Sequence, residues 1–386
     1  MSTSIGLLWP QTSHLWTAGG IYFQNLLTAL ELAGHGDDIT IIEPVGGCYS
    51  KLGLASSRPV VTYNDLPGGS FKNRVMNFVA RKTAIGDPVV GAIKRSGVEV
   101  VFGYPDVRRR LPVPWVGWVT DFQHHHYPEW FPAEHYAALD EAFGHVAHDS
   151  ALVILSSEDA AKDYAAFVPA LAEKGRVVPF VSLFPPALYA ETPDATVAKY
   201  RLRRPFVVVS NQWFRHKNQE LCIRAAAVQR DRGEDCTWVM TGVLADYRDP
   251  GHVSRLLQAI AMLGLEDRIK ILGVMPRMEQ LQLMRAADCI VQPSVFEGWS
   301  TLVEDARTLG QRLVVSDIPI HREQEPESAL FFDPASAEDL ADKVREMLGG
   351  ECERVDEAVA TERSLELARV WGERFYAVCA EAAKRG

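Results

Sequence analysis

The sequence predicts an α/β protein of two doubly wound domains, each a mostly parallel sheet covered by helices on both faces. Three observations carry this reading. A chain of 386 residues with 47% hydrophobic content can bury two cores rather than one. Short apolar, β-branched runs alternate with stretches of helical apolar spacing, in one series before residue 183 and another after residue 204, as parallel strands with helical crossovers do. Between the series, residues 183–204 carry Pro185 and Pro186 and no periodicity, which reads as an interdomain linker. The expected domains are 1–182 and 205–363.

In the first domain, residues 4–9 form the opening strand. Thr17-Ala18-Gly19-Gly20 then make a turn before a helix whose apolar face carries Ile21, Leu26, Leu27, Leu30 and Leu32. Further strands are expected at 38–42, 98–102, 115–119, 152–156 and 176–182. Residues 49–69, rich in Gly, Ser and Pro, read as a mobile surface loop. Asp121 to Pro128 follows a strand end, where open α/β sheets place ligand-contacting residues. It contains His124, His125 and His126. On an extended loop successive side chains alternate in direction, so at most His124 and His126 could converge on a metal, with no Cys or helical HxxxH to complete a tetrahedral set; substrate contact is the preferred reading. Ser157, at the next strand end, suits a helix N-cap and a ligand contact equally.

The second series opens with a strand at 205–210. Arg215 and Lys217 follow at a strand-to-helix connection, where cations and helix N–H groups can share a pyrophosphate. Strands continue at 237–241, 269–272, 289–292 and 312–316, with helices around 253–262, 277–285 and 302–309. Ser336 begins a capped helix to residue 348, and the last helix spans 364–380, with Leu365, Val370, Trp371, Phe375 and Val378 at packing positions.

The most informative stretch is 291–304. An apolar strand leads through Pro293-Ser294 and the elbow Glu297-Gly298-Trp299 into a helix. Gly298 lets backbone approach a ligand closely, and the N–H groups near Ser300 and Thr301 offer a place for phosphate oxygens. Glu297 and Glu304 lie about two helical turns, or ~10 Å, apart, a spacing that suits the two ends of one elongated ligand.

Composition narrows the function. A net charge of −10 argues against nucleic acid, whose binding needs a basic face. The run Arg108-Arg109-Arg110 reads as a solvated loop, with peripheral contact at the inner membrane face as the second reading. Six cysteines, at positions 48, 222, 236, 289, 352 and 379, show no paired CxxC and read as free thiols in a reducing compartment. With no apolar stretch of leader or membrane-spanning length in view, a cytoplasmic protein is expected.

Pro293-Ser294, Glu297-Gly298-Trp299 and Glu304 together resemble the signature of the retaining glycosyltransferases that use nucleotide-sugar donors on a GT-B fold, often called family 4. The shorter spacing between the two glutamates matches a sub-branch reading Glu-Gly-Trp-Ser-Thr, so Glu304 takes the second role and Asp305 stands in reserve. That sub-branch also resembles this chain at residues 211–218, where Lys217 carries over and Arg215 substitutes for the usual Gly-Arg cation. The resemblance implies two Rossmann-like domains facing a central cleft, a C-terminal helix (364–386) returning to the first, and transfer of a hexosyl group with retention to a glycan, lipid-linked or small-molecule acceptor. It further implies a nucleotide-sugar co-substrate with no cofactor or metal. In the second domain Arg215 and Lys217 would act on the diphosphate, Glu297 on the sugar and Glu304 on the ribose. Val274 and Met275 would hold the base by their backbone; Gly298, Trp299, Ser300 and Thr301 would hold the donor. Gly19, Gly20 and His126 would line the opposite wall, and Asp121, His124 and Ser157 the acceptor side. A nucleotide-sugar epimerase of the same fold and a two-domain ligand-binding protein are the rival readings; a nicotinamide enzyme is disfavoured, because Gly19-Gly20 does not supply GxGxxG.

Overall fold

A computed structural model describes residues 2–9, 17–47, 49, 58–64, 87–103 and 110–385. The chain divides into two compact units, the first comprising Met1–Pro128, Pro132–Phe180 and Leu365–Gly386, the second Glu129–Phe131 and Val181–Ser364.

The sheet of the first unit contains β1 (Ile5–Leu8), β2 (Ile39–Pro44), β3 (Val60–Tyr63), β4 (Val100–Phe102), β5 (Trp115–Val119), β6 (Leu152–Leu155) and β7 (Gly175–Val177). They lie in the order β3-β2-β1-β4-β5-β6-β7, with every pairing parallel. β3 corrects the expectation of a mobile loop over 49–69. It is a four-residue edge strand whose order comes from pairing with β2, Ile41 opposite Val60, a partner invisible to local composition. Residues 50–57 and 65–69 of that stretch, like Cys48, Arg108 and Arg109, lie outside the described residues.

The glycine pair also sits differently from the sequence expectation. Helix Thr17–Leu32 already includes Gly19 and Gly20, so they occupy its first turn instead of a turn before it. The terminal helix, Glu357–Ala383, starts seven residues earlier than expected, and its part beyond Leu365 belongs to the first unit. There Trp371 and Phe375 join an aromatic cluster, with Tyr22 to Trp371 at 5.4 Å and Phe102 to Phe375 at 4.9 Å between ring centroids. Gly372 makes this possible: a Cβ there would stand 2.2 Å from the Ala29 carbonyl oxygen.

The second unit contains β8 (Phe206–Ser210), β9 (Thr237–Thr241), β10 (Ile269–Gly273), β11 (Cys289–Gln292), β12 (Leu313–Ser316) and β13 (Ala329–Phe332), in the parallel order β10-β9-β8-β11-β12-β13. Side chains alternate between two cores. Val207, Val209 and Val291 face one with Trp213, Trp238 and Leu340; Phe206, Val208 and Ile290 face the other with Leu283, Met284 and Val303. Burial on both sides is why these strands read as continuous apolar runs.

Residues 183–204 are not a free linker. They form helices Ala187–Ala190 and Asp194–Lys199, with Leu188 and Leu202 in the second unit's core. Lys199 and Tyr200 both bond Glu279, at 2.7 Å each. Helices of four and six residues are too short to show a period and owe their order to tertiary packing.

Candidate active site

Strand order in the second unit reverses between β8 and β11, which pair through Val207 with Cys289 and Val208 with Ile290. Open α/β sheets bind ligands at the carboxyl ends of strands at such a switch point. The two segments that emerge there, 211–218 and 293–300, carry the motifs singled out in the sequence. Two bonds to backbone carbonyls tie them together: the Val295 N–H donates to the His216 carbonyl at 2.9 Å, and the Asn218 amide donates to the Pro293 carbonyl at 3.2 Å. Asn218 takes the left-handed backbone, φ 56°, which Asn tolerates better than most residues.

Lys217 Nζ and Glu297 Oε1 meet at 2.6 Å, with side-chain exposures of 17% and 8%. This pair is the first link of a continuous chain of polar contacts. Gln292, at the end of β11, donates to Glu297 Oε1 at 2.9 Å and to Ser300 Oγ at 2.7 Å. Its own oxygen accepts from Asn211 at 2.7 Å. The Ser300 N–H donates to Gln324 Oε1 at 3.2 Å, while Gln324 Nε2 reaches the Ser300 carbonyl at 3.0 Å and Glu304 Oε1 at 2.8 Å. Glu304 ends the chain beside Arg307, at 3.1 Å. The Ser300 N–H is thus already engaged. The Thr301 and Leu302 amides open the helix without intrahelical acceptors.

The structure also separates Glu304 from Asp305. Asp305 Oδ1 accepts from Ser182 Oγ at 2.7 Å and from Arg277 at 2.6 Å, contacts outside the chain that joins Glu297 to Glu304. Burial raises the Glu304 pKa above the ordinary carboxylate value, against the opposing pull of Arg307 and Gln324. A raised folded-state pKa means that the folded state holds its proton to higher pH, so this group's contribution to stability falls as pH rises from the ordinary carboxylate range through the raised value. Glu304→Gln is expected to remove that fall, read as a flatter pH dependence of Tm above the ordinary carboxylate range than the wild type shows.

Several contributors were not among the site residues expected from the sequence. Gln292, Gln324 and Asn211 are buried amides whose side-chain direction is set by the strands around them. His321 is fully buried, its Nδ1 2.9 Å from the Ser316 carbonyl and its pKa lowered by burial to about 4. It is therefore neutral, with the proton on Nδ1. Ser316 Oγ in turn donates to the Ser294 carbonyl at 2.5 Å, pinning the Pro293-Ser294 turn to β12. Gly242, φ 113°, lets the loop after β9 pass this frame, since a Cβ would stand 2.0 Å from the Asn211 carbonyl oxygen.

The cations divide. Lys217 stands in the chain just described, whereas the exposed Arg215 places its guanidinium 5.1 Å from the Trp130 ring centroid and its backbone N–H on Asp246 at 2.9 Å. A cation that sequence reasoning missed, Arg248, is buried beside Asp246 at 3.2 Å and His216 Nδ1 at 3.2 Å. Burial, with Lys217 and Arg248 nearby, lowers the His216 pKa well below its ordinary value. Val274 is 73% exposed and Met275 half-buried against the core, after Gly273 in the left-handed conformation.

In the first unit the sequence picture needs one clear correction. Residues Gln123–His126 form a helical turn, not an extended loop, so His124 pairs with His125 and not with His126. Nε2 of His124 and of His125 lie 3.1 and 2.8 Å from Asp140 Oδ1, while His126 Nε2 lies 2.8 Å from Asp163. Asp121 accepts from the Gln123 N–H at 2.9 Å, shaping the turn. Ser157 caps helix Glu158–Phe167, accepting from the Ala160 N–H at 3.0 Å, and is fully buried.

Two Rossmann-type units, the second with a charged hydrogen-bonded site at its switch point, make a two-domain α/β architecture of the GT-B class. Residues 195–362, which lie within the second unit, match the model of the family glycosyl transferases group 1. A search of curated proteins found no match. Among solved structures, HepE of Anabaena in complex with UDP and glucose is similar at 18% identity and TM-score 0.64, over 100% of this chain and 99% of that one. A glycosyltransferase from Rickettsia africae aligns at 15% and 0.66, covering 100% of both chains. The sucrose-phosphate synthase of Thermosynechococcus elongatus aligns at 17% and 0.62, over 99% and 96%.

Proposed function

We propose that the protein is a retaining glycosyltransferase of family 4 type, moving a hexosyl group from a nucleotide-sugar to a hydroxyl acceptor. The Lys217–Glu297 pair carries this reading, because its polar contacts run on to the buried Glu304 at the switch point of the sheet. The second unit holds the donor. Glu304 accepts from the ribose hydroxyls, the amides at the start of helix Thr301–Thr308 meet the diphosphate, Gly298 and Trp299 flank it, and the backbone of Val274 and Met275 meets the base. On donor binding, Lys217 turns from Glu297 to the leaving diphosphate, freeing Glu297 for sugar hydroxyls. Arg215 adds charge at the same loop. The bond from the anomeric carbon to phosphate breaks as the acceptor oxygen attacks on the same face, and the acceptor's proton passes to a diphosphate oxygen. No protein nucleophile is used. The first unit supplies the acceptor side, through His126 and the surroundings of Asp121 and His124, with Gly19 and Gly20 at its first helix start. Uridine diphosphate sugars are the first donors to try, since HepE was crystallised with UDP and UDP-glucose. Screening UDP-, GDP-, ADP- and dTDP-sugars for hydrolysis and thermal stabilisation tests the reading, and failure of all four to bind would overturn it. The working site is proposed to be cytoplasmic. Among the described residues, no helix is long and apolar enough to cross a membrane.

Two further outcomes are expected. Turnover should survive EDTA, because lysine, arginine and helix amides replace the metal that otherwise neutralises the diphosphate; loss restored by Mg²⁺ or Mn²⁺ would contradict this. His126→Ala should lower turnover roughly tenfold, as loss of one acceptor-side hydrogen bond worth about 1.5 kcal/mol does, with nucleotide affinity unchanged by calorimetry. A collapse of nucleotide affinity in a folded variant would refute the division of roles between the units.

A further inference from the structure

Among the described residues, one group of three metal-ligating side chains converges: His124, His125 and Asp140, whose nearest ligand atoms all lie within 4.8 Å of one another. Both imidazoles direct Nε2 at the same carboxylate oxygen, Asp140 Oδ1, at 3.1 and 2.8 Å. Their rings are nearly perpendicular, 80° between planes with centroids 4.5 Å apart, so two nitrogen lone pairs can point at one centre without the rings colliding. His124 is almost fully buried against Phe122, Tyr136 and Phe143, which fixes one ligand in place. His125 and Asp140 have partly exposed side chains, so they can adjust and ligand or water can enter.

We propose that His124, His125 and Asp140 form a binding site for a divalent transition metal of the zinc class, with water completing the coordination. Imidazole nitrogen with one carboxylate is a donor set that suits zinc and its neighbours over magnesium or calcium. Two nitrogens on a tetrahedral zinc stand about 3.3 Å apart, so binding draws the three atoms inward from their present spread. The metal binds the Nε2 lone pairs of the tautomers whose single ring proton sits on Nδ1, so the Nε2 contacts with Asp140 are exchanged for metal bonds.

The consequence is a clamp. His124 and His125 sit on the turn Gln123–His126 and Asp140 on helix Ala133–Asp149, so a metal joins the two and fixes the turn from which His126 projects. This inference does not depend on the activity proposed above, and the metal takes no part in the transfer step.

The test is calorimetric titration of the full-length, metal-stripped protein with Zn²⁺, alongside Co²⁺ substitution read by visible d–d absorption. The expected result is one Zn²⁺ per chain, a rise in Tm on binding, and a cobalt spectrum showing nitrogen ligation. His125→Gln and Asp140→Asn should each weaken Zn²⁺ at least tenfold with the folded circular dichroism spectrum retained. His125 is half-exposed, so its variant keeps the test alive if Asp140→Asn is unstable. His145→Gln should bind as the wild type does; it alters a single surface histidine flanked by Glu141 and Asp149 on the same helix. Absence of Zn²⁺ binding by the wild type, wild-type affinity in either the His125 or the Asp140 variant, or loss in His145→Gln would overturn the site. In the chelator experiment, recovery with Zn²⁺ alone would point to this clamp, and recovery with Mg²⁺ or Mn²⁺ to the donor site.

Discussion

Lys217→Ala is expected to reduce turnover by about 10²–10³-fold, the usual effect of deleting one preorganised group that meets charge developing in the transition state. Lys217 lies in the loop after β8 and is held 2.6 Å from Glu297, whose Oε1 also accepts from the Gln292 amide that reaches Ser300, the N-cap of helix Thr301–Thr308. Removing it also leaves Glu297 largely buried without its cation, which costs stability. The two effects separate in a Lys217→Ala, Glu297→Gln double variant. It carries no orphaned carboxylate, so its Tm should recover toward the wild type while turnover stays low. Released nucleoside diphosphate is the measurement. Turnover of the single variant within tenfold of wild type would remove Lys217 from the chemistry.

The three acidic residues of this region should fail in three different ways. Glu304→Ala removes an acceptor of ribose hydroxyls, and since hydrogen bonds to charged groups are worth about 1.5–3 kcal/mol, it should weaken nucleoside diphosphate and intact donor alike by roughly tenfold or more. Glu297→Ala should spare the diphosphate and cut affinity or turnover for the sugar donor. Asp305→Ala should chiefly lower stability, because the buried carboxylate holds Ser182 and Arg277; with Arg277 partly exposed, the loss is on the order of 1–3 kcal/mol. Calorimetry of each variant with diphosphate and with donor, together with thermal melts, distinguishes them. A nucleotide defect at Asp305 with none at Glu304 would reverse the assignment, and equal losses for both ligands at Glu297 would refute its role on the sugar.

Much of the architecture was legible because its signals are local. The strands at Trp115–Val119, Thr237–Thr241 and Cys289–Gln292 coincide with their apolar runs, since burial on both faces leaves a continuous hydrophobic signature. β3 escaped notice because an edge strand of four residues is ordered by its neighbour, and the helices of 187–199 because single turns have no period to detect. The site was legible in part for the same reason. Lys217, Glu297, Ser300 and Glu304 sit at strand-to-helix connections, which residue types betray. Gln292, Gln324, Asn211, His321 and Arg248 do not advertise themselves, as a buried amide or imidazole is defined by what surrounds it.

By itself the sequence determined the alternation of strands and helices, the two-domain division and the loops that bear the charged residues, all consequences of hydrophobic period and turn chemistry within a few residues. Tertiary structure alone decided which loops meet. Lys217 and Glu297 are 80 positions apart, and they touch because β11 pairs with β8 where strand order reverses, a long-range choice with no local mark. It also decided orientation. Consecutive helical residues point about 100° apart, so Glu304 joins Gln324 and the polar chain while Asp305 turns to Ser182 and Arg277. The same geometry, one helical turn in place of an extended loop, set His125 and not His126 beside His124.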